Sequence, residues 1–193
     1  MISHKHKFIL ILPPKTASTT LVSALMDFVD ISKIINQPKR GTFDFREKGA
    51  RGHRKHAKLK TYSSEYINTY KLYGVVRNPY ERMVSWWKFA STGRSGKNKS
   101  FLDFLEHPTK QHTTKYYQYF GGNKIGILRY ENLVSDFVSF CDEVGIPRQK
   151  LPHKNASKHR CYTEYYDDET RQIVAERYAR DIEYFGYEFG EVK

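Results

Sequence analysis

The chain has 193 residues, enough for one α/β domain to bury a core without a disulfide or a structural metal. It carries 33 Lys and Arg against 21 Asp and Glu, a formal charge of +12, so an anionic partner is expected. A hydrophobic content of 39% excludes a disordered chain, and Cys141 and Cys161, with no CxxC, exclude a disulfide framework or a zinc site.

The first structured segment is FILIL at 8–12, a continuous apolar run of β-formers that reads as a parallel strand buried on both faces. It is the longest apolar run near the start and too short for an export signal or a membrane span, so a cytoplasmic setting is expected. Pro13 and Pro14 end it. Ser18, Thr19 and Thr20 then offer capping side chains to a helix whose apolar positions are Leu21, Val22, Leu25, Met26 and Val29.

A basic, glycine-containing stretch at 38–60 reads as a surface loop. A second strand follows at 72–76 (LYGVV), turning through Arg77, Asn78 and Pro79 into a helix with Pro79 in its first turn and Met83, Val84, Trp86, Trp87 and Phe89 along it. After another basic loop at 92–100, a third strand at 125–128 runs through RYEN at 129–132 into a helix marked by Leu133, Phe137, Phe140 and Val144. That helix stops at Gly145 and Pro147. The span 168–184, with Ile173, Val174, Tyr178 and Ile182 at helical spacing, predicts one closing amphipathic helix. Strands alternating with helices imply a three-layer α/β sandwich around a mostly parallel sheet, folded as a single domain over 1–193.

PKTASTT at 14–20 lies between the first strand and its helix, where exposed N–H groups and the helix dipole attract an anion. Lys15 adds a positive charge, and the hydroxyls of Thr16, Ser18, Thr19 and Thr20 add donors. The loop is not GxxxxGK[ST], because Lys15 precedes the hydroxyls instead of ending the run, which disfavours ATP and GTP. Arg77 follows the second strand and Ser85 lies two turns into the next helix. Ligands of open parallel sheets bind at the carboxyl ends of strands, so these groups predict a ligand with two separated phosphate groups.

These motifs resemble those of the carbohydrate sulfotransferases that use 3′-phosphoadenosine 5′-phosphosulfate (PAPS), a family that includes chondroitin and heparan O-sulfotransferases and bacterial relatives. PKTASTTL at 14–21 is similar to the family's 5′-phosphosulfate loop, and GVVRNPYERMVSW at 74–86 to its 3′-phosphate motif. RYENL at 129–133 and the tail from LPHKN at 151–155 to FGYEF at 185–189 continue the resemblance in family order.

The resemblance implies the P-loop-like sulfotransferase fold and PAPS as co-substrate, with no metal. It assigns Lys15, Thr16, Ala17, Ser18, Thr19 and Thr20 to the 5′-phosphosulfate, and Arg77 and Ser85 to the 3′-phosphate. It also implies that Lys158, in a segment that folds back over the donor, clamps a phosphate. Ala17 stands where relatives show Gly, which demands only an unstrained φ there. The short chain leaves little room for acceptor-binding insertions and argues against a polymeric acceptor.

Sulfuryl transfer needs in-line positioning and stabilisation of the leaving group, a role that falls to Lys15. The acceptor hydroxyl needs a base. Within RKHAK at 54–58 the choice is His56, by its similarity to the family's base-bearing stretch, with His53 the alternative on the same face if one helical turn joins them. The expected acceptor is a hydroxyl compound, an anionic carbohydrate fitting the basic loops. Trp86, Trp87 and the aromatic run at 116–119 are assigned to the core and not to adenine stacking. Two other classes share some of these features: a nucleotide or small-molecule kinase, which needs ATP and magnesium, and a nucleic-acid-binding protein, supported by charge alone.

Overall fold

Burial on both faces is what makes FILIL continuous instead of alternating, and the computed structural model places it at the centre of a sheet. The structure describes residues 1–30, 44–45, 53–91, 99–109, 112–152 and 160–190. In chain order, β1 (Ile2–Ser3) and β2 (Phe8–Ile11) precede α1 (Ser18–Leu25); two-residue strands β3 (Asp44–Phe45) and β4 (His53–Arg54) pair with each other; α2 (Ser64–Thr69) leads into β5 (Lys71–Val76) and α3 (Pro79–Ser91). Then come α4 (Phe101–Glu106), α5 (Tyr116–Phe120), β6 (Gly126–Arg129), α6 (Leu133–Val144), α7 (Asp168–Arg177) and α8 (Ala179–Phe185).

The larger sheet has the order β1-β2-β5-β6. β1 is antiparallel to β2, while β2 and β5 pair in parallel with Ile11 opposite Gly74, and β5 and β6 pair in parallel with Val76 opposite Arg129. The expected α/β class with a mostly parallel central sheet is therefore present, and the strands at 8–12, 72–76 and 125–128 fall within one residue of their expected bounds. Parallel pairing puts the carboxyl ends of β2, β5 and β6 on one side of this sheet.

The chain forms two compact units, Met1–Val76 with Tyr117–Ala156, and Arg77–Tyr116 with Ser157–Lys193. In the first, Phe8, Leu10, Tyr73, Val75 and Leu128 line one face of the sheet and pack with Leu21, Val22 and Leu25 of α1 and Phe137, Phe140 and Val144 of α6. The rings of Phe8 and Tyr73 meet that of Phe140 edge to face at 5.2 and 4.8 Å. Each such side chain, buried, contributes about 1.5–3 kcal/mol. On the opposite face Gly74 is dictated by space, since a Cβ there would stand 2.5 Å from the Phe120 ring of α5.

The second unit packs α3, α4 and α7 around Met83, Val84, Trp86, Phe104, Leu105 and Val174. Of the aromatics assigned to the core, Trp86, Tyr116 and Tyr119 are buried, whereas Trp87 is half-buried and Tyr117 is exposed. Arg82, fully buried, lies 4.7 Å from the Tyr116 ring and 5.4 Å from that of Trp86, contacts that are worth most when desolvated.

The single closing helix expected over 168–184 is two helices, because Tyr178 leaves helical geometry at φ −115 and ψ 18. This break lets its side chain enter the core, where the hydroxyl donates to the carbonyl of His112. No helix among the described residues is long and apolar enough to cross a membrane.

Candidate active site

The loop after β2 begins as the sequence predicts, with Pro13 and Pro14 ending the strand, but its turn is made differently. Lys15 and Ala17 both have positive φ, 68 and 59. Ala17 is the helix N-cap, in the left-handed region and without a side-chain cap, so Ser18, Thr19 and Thr20 form the first turn of α1 instead of capping it. The expectation of an unstrained φ at Ala17 fails. Left-handed backbone at alternate residues curves successive N–H groups into a concavity suited to an anion, and the N–H groups of a first helical turn have no intrahelical acceptor. No acidic residue stands in that turn.

The hydroxyls have separate tasks. Thr16 is fully buried and its Oγ1 donates to the Pro13 carbonyl at 2.7 Å, closing the turn, so what Thr16 offers outward is its backbone. Ser18 is buried, whereas Thr19 and Thr20 are half-buried. Thr19 Oγ1 accepts a 2.7 Å hydrogen bond from Nζ of Lys55, a residue that sequence reasoning passed over. Burial holds the Lys55 ammonium below the usual lysine range.

His56, next in the chain, reaches the other end of the same loop. Its Nδ1 lies 2.8 Å from the Leu12 carbonyl oxygen. A carbonyl can only accept, so Nδ1 carries the hydrogen and the basic lone pair of the neutral ring is on Nε2. The shared helical face expected for His53 and His56 does not form: His53 belongs to strand β4, and Lys55 and His56 occupy the turn beyond it. The side chain of His53 lies outside the described residues, as does Lys158.

In the second unit, Arg77 is buried at the residue where β5 has ended and α3 has yet to begin. The Tyr116 hydroxyl accepts from the Arg77 N–H at 2.9 Å and donates to the Arg77 carbonyl at 2.8 Å, fixing both backbone polar groups. Arg77 Nη2 donates to Glu81 Oε1 at 2.7 Å. Glu81 and Ser85 are four apart on α3, so the arginine's carboxylate partner and the expected phosphate-binding hydroxyl share one face of that helix. Asn78 completes the turn, its Oδ1 accepting from the Tyr80 N–H at 3.0 Å and its Nδ2 donating to the Glu188 carbonyl at 2.9 Å.

Chemically, the first unit brings to one loop a left-handed turn of backbone, the Lys55 ammonium bonded to Thr19, and an oriented imidazole. The second presents a buried guanidinium on a rigid backbone. Of the expected residues, Lys15 through Thr20 and His56 come together within the first unit, and Arg77 and Ser85 within the second. Lys55 and Tyr116 are the additions. Their roles come from tertiary contacts, and the only signal for Lys55 was its place beside His56.

A family model described as the sulfotransferase family matches residues 1–188. Among curated proteins no sequence matches the chain. A mouse sulfotransferase, SULT7A1, solved in complex with PAP, is similar in structure at a TM-score of 0.58 and 13% identity, over 94% of this chain and 86% of that one. A sulfotransferase from Alicyclobacillus acidocaldarius is similar at a TM-score of 0.51 and 16% identity, over 95% of this chain and 96% of its own.

Proposed function

Because the chain belongs to the sulfotransferase family, we propose that it moves a sulfuryl group from PAPS to an acceptor hydroxyl, with a small anionic carbohydrate as acceptor. The reading takes 1–193 as one catalytic domain working in the cytoplasm without a metal. The observation that carries it is the loop between β2 and α1, where positive φ at Lys15 and Ala17 gives the backbone a turn of the kind that gathers N–H donors for an anion at the start of a helix. The mouse relative solved with PAP supports the choice of donor.

In this reading Lys15, Thr16, Ala17, Ser18, Thr19 and Thr20 hold the 5′-phosphosulfate. Arg77 and Ser85 hold the 3′-phosphate that separates PAPS from ATP, and Lys158 clamps a phosphate. His56 Nε2 takes the acceptor's proton as its oxygen bonds to sulfur; the bond from sulfur to the bridging oxygen of the 5′-phosphate breaks. Lys15 neutralises the charge that gathers on the departing bisphosphate. The Nδ1–H bond to Leu12 keeps the ring in the tautomer this requires.

The test is calorimetric titration with 3′-phosphoadenosine 5′-phosphate (PAP), 5′-AMP and ATP with Mg²⁺. Binding of PAP well above the other two is expected, followed by sulfation of sugar hydroxyls in an acceptor screen. A preference for ATP would overturn the reading and favour a kinase.

A further inference from the structure

We propose that Lys55 is a positioning residue for the donor: its ammonium holds the Thr19 hydroxyl so that this hydroxyl donates to the 5′-phosphosulfate. The inference rests on the sulfotransferase reading and deepens it, adding a residue that neither the motif pattern nor the resemblance singles out.

The chemistry of the contact sets its direction. An ammonium has three hydrogens and no lone pair, so across the 2.7 Å between Lys55 Nζ and Thr19 Oγ1 the hydroxyl must accept. A threonine hydroxyl has one hydrogen. With a lone pair committed to the cation, that hydrogen points away from Lys55, and the neighbouring charge polarises it into a stronger donor. Thr19 is the second residue of α1, in the same first turn whose backbone N–H groups have no intrahelical acceptor. The oriented hydroxyl and these amides thus serve one anion.

Lys55 is also held in place as a surface lysine is not. Lys55 and His56 are consecutive and bond to opposite ends of one loop, Thr19 Oγ1 at its exit and the Leu12 carbonyl at its entry. The turn after β4 is therefore pinned at two points, and the lysine stem is half-buried. Burial lowers the proton affinity of this ammonium, which an incoming phosphosulfate would raise again. The same turn carries the expected base, so one segment sets both the donor's hydroxyl contact and the imidazole.

A double-mutant cycle tests the relay. Wild type, Lys55→Met, Thr19→Val and the double variant are titrated with PAP and with adenosine 3′-phosphate, which lacks the 5′ group. Lys55→Met and Thr19→Val should each weaken PAP about tenfold or more while leaving adenosine 3′-phosphate within about twofold, and the double variant should be no weaker than Thr19→Val alone. Lys55→Arg should recover most of the loss. Wild-type PAP affinity should decline with rising pH below the ordinary lysine pKa of about 10.4, a limb that Lys55→Arg removes. Lys55→Gln runs the same cycle if Lys55→Met lowers the melting temperature. Additive losses, or an equal loss for both ligands, would overturn the relay while the sulfotransferase reading stands. A wild type that does not bind PAP would sink that reading itself.

Discussion

Arg77 Nη2 and Glu81 Oε1 form a 2.7 Å ion pair in which the arginine side chain is 6% exposed and the glutamate 29%. In the proposed role, Arg77 would offer a 3′-phosphate a guanidinium already oriented by a carboxylate one helical turn along, with its backbone held by Tyr116. The planar fork can serve both anions at once, whereas an ammonium is a point charge. Arg77→Lys should therefore weaken PAP about ten- to hundredfold, with 5′-AMP affinity unchanged. Calorimetry with the two nucleotides checks this; an equal loss for both would remove Arg77 from the 3′-phosphate.

The loop between β2 and α1, the proposed phosphosulfate site, is conformationally costly. A non-glycine residue in the left-handed region carries a penalty of about 1–2 kcal/mol, and both Lys15 and Ala17 are there. Ala17→Gly should raise stability by up to about 1 kcal/mol, against the usual direction of an alanine-to-glycine change, since glycine relieves the strain at some cost in chain entropy. Lys15→Gly should likewise hold or raise stability yet abolish turnover, the signature of strain kept for function. Urea unfolding midpoints and single-turnover sulfation distinguish the two effects.

His56 is oriented through Nδ1, which makes Nε2 the nitrogen for its proposed role as base. His56→Gln should lower kcat by about 10²–10⁴ and leave PAP affinity nearly constant, because donor contacts come from other residues. Rates measured against pH should lose their acid limb in the variant. A variant with normal kcat would pass the role to His53, whose own substitution is the matching control.

In the second unit the ring of His112 lies 4.7 Å from Trp86 and 4.6 Å from Phe104. Burial first, then the charges of Arg177 and Arg82, hold its pKa below the ordinary value. The unfolded chain therefore binds a proton that the folded one resists. The stability from this site is complete above about pH 6.5, the unfolded value, and is lost as pH falls below it toward the lowered folded value. The melting temperature should drop over that window in wild type and drop less in His112→Gln, as read by thermal melts across acid pH.

The sequence by itself determined the repeating strand–loop–helix plan and which loops are the candidates for anion binding. Apolar runs at 8–12, 72–76 and 125–128 and the helical spacing after each are local properties, and they matched the sheet and α1, α3 and α6. Helices of five or six residues, α2, α4 and α5, left no comparable trace, being shorter than two turns. Tertiary structure alone decided the finer chemistry. Thr19 and Lys55 are 36 residues apart, Leu12 and His56 44, and Arg77 and Tyr116 39, so no local pattern links them. The left-handed turn at Ala17, against alanine's own preference, is likewise a tertiary outcome: the buried strand and the packed helix fix both ends of the loop, and the residues between must take whatever φ joins them.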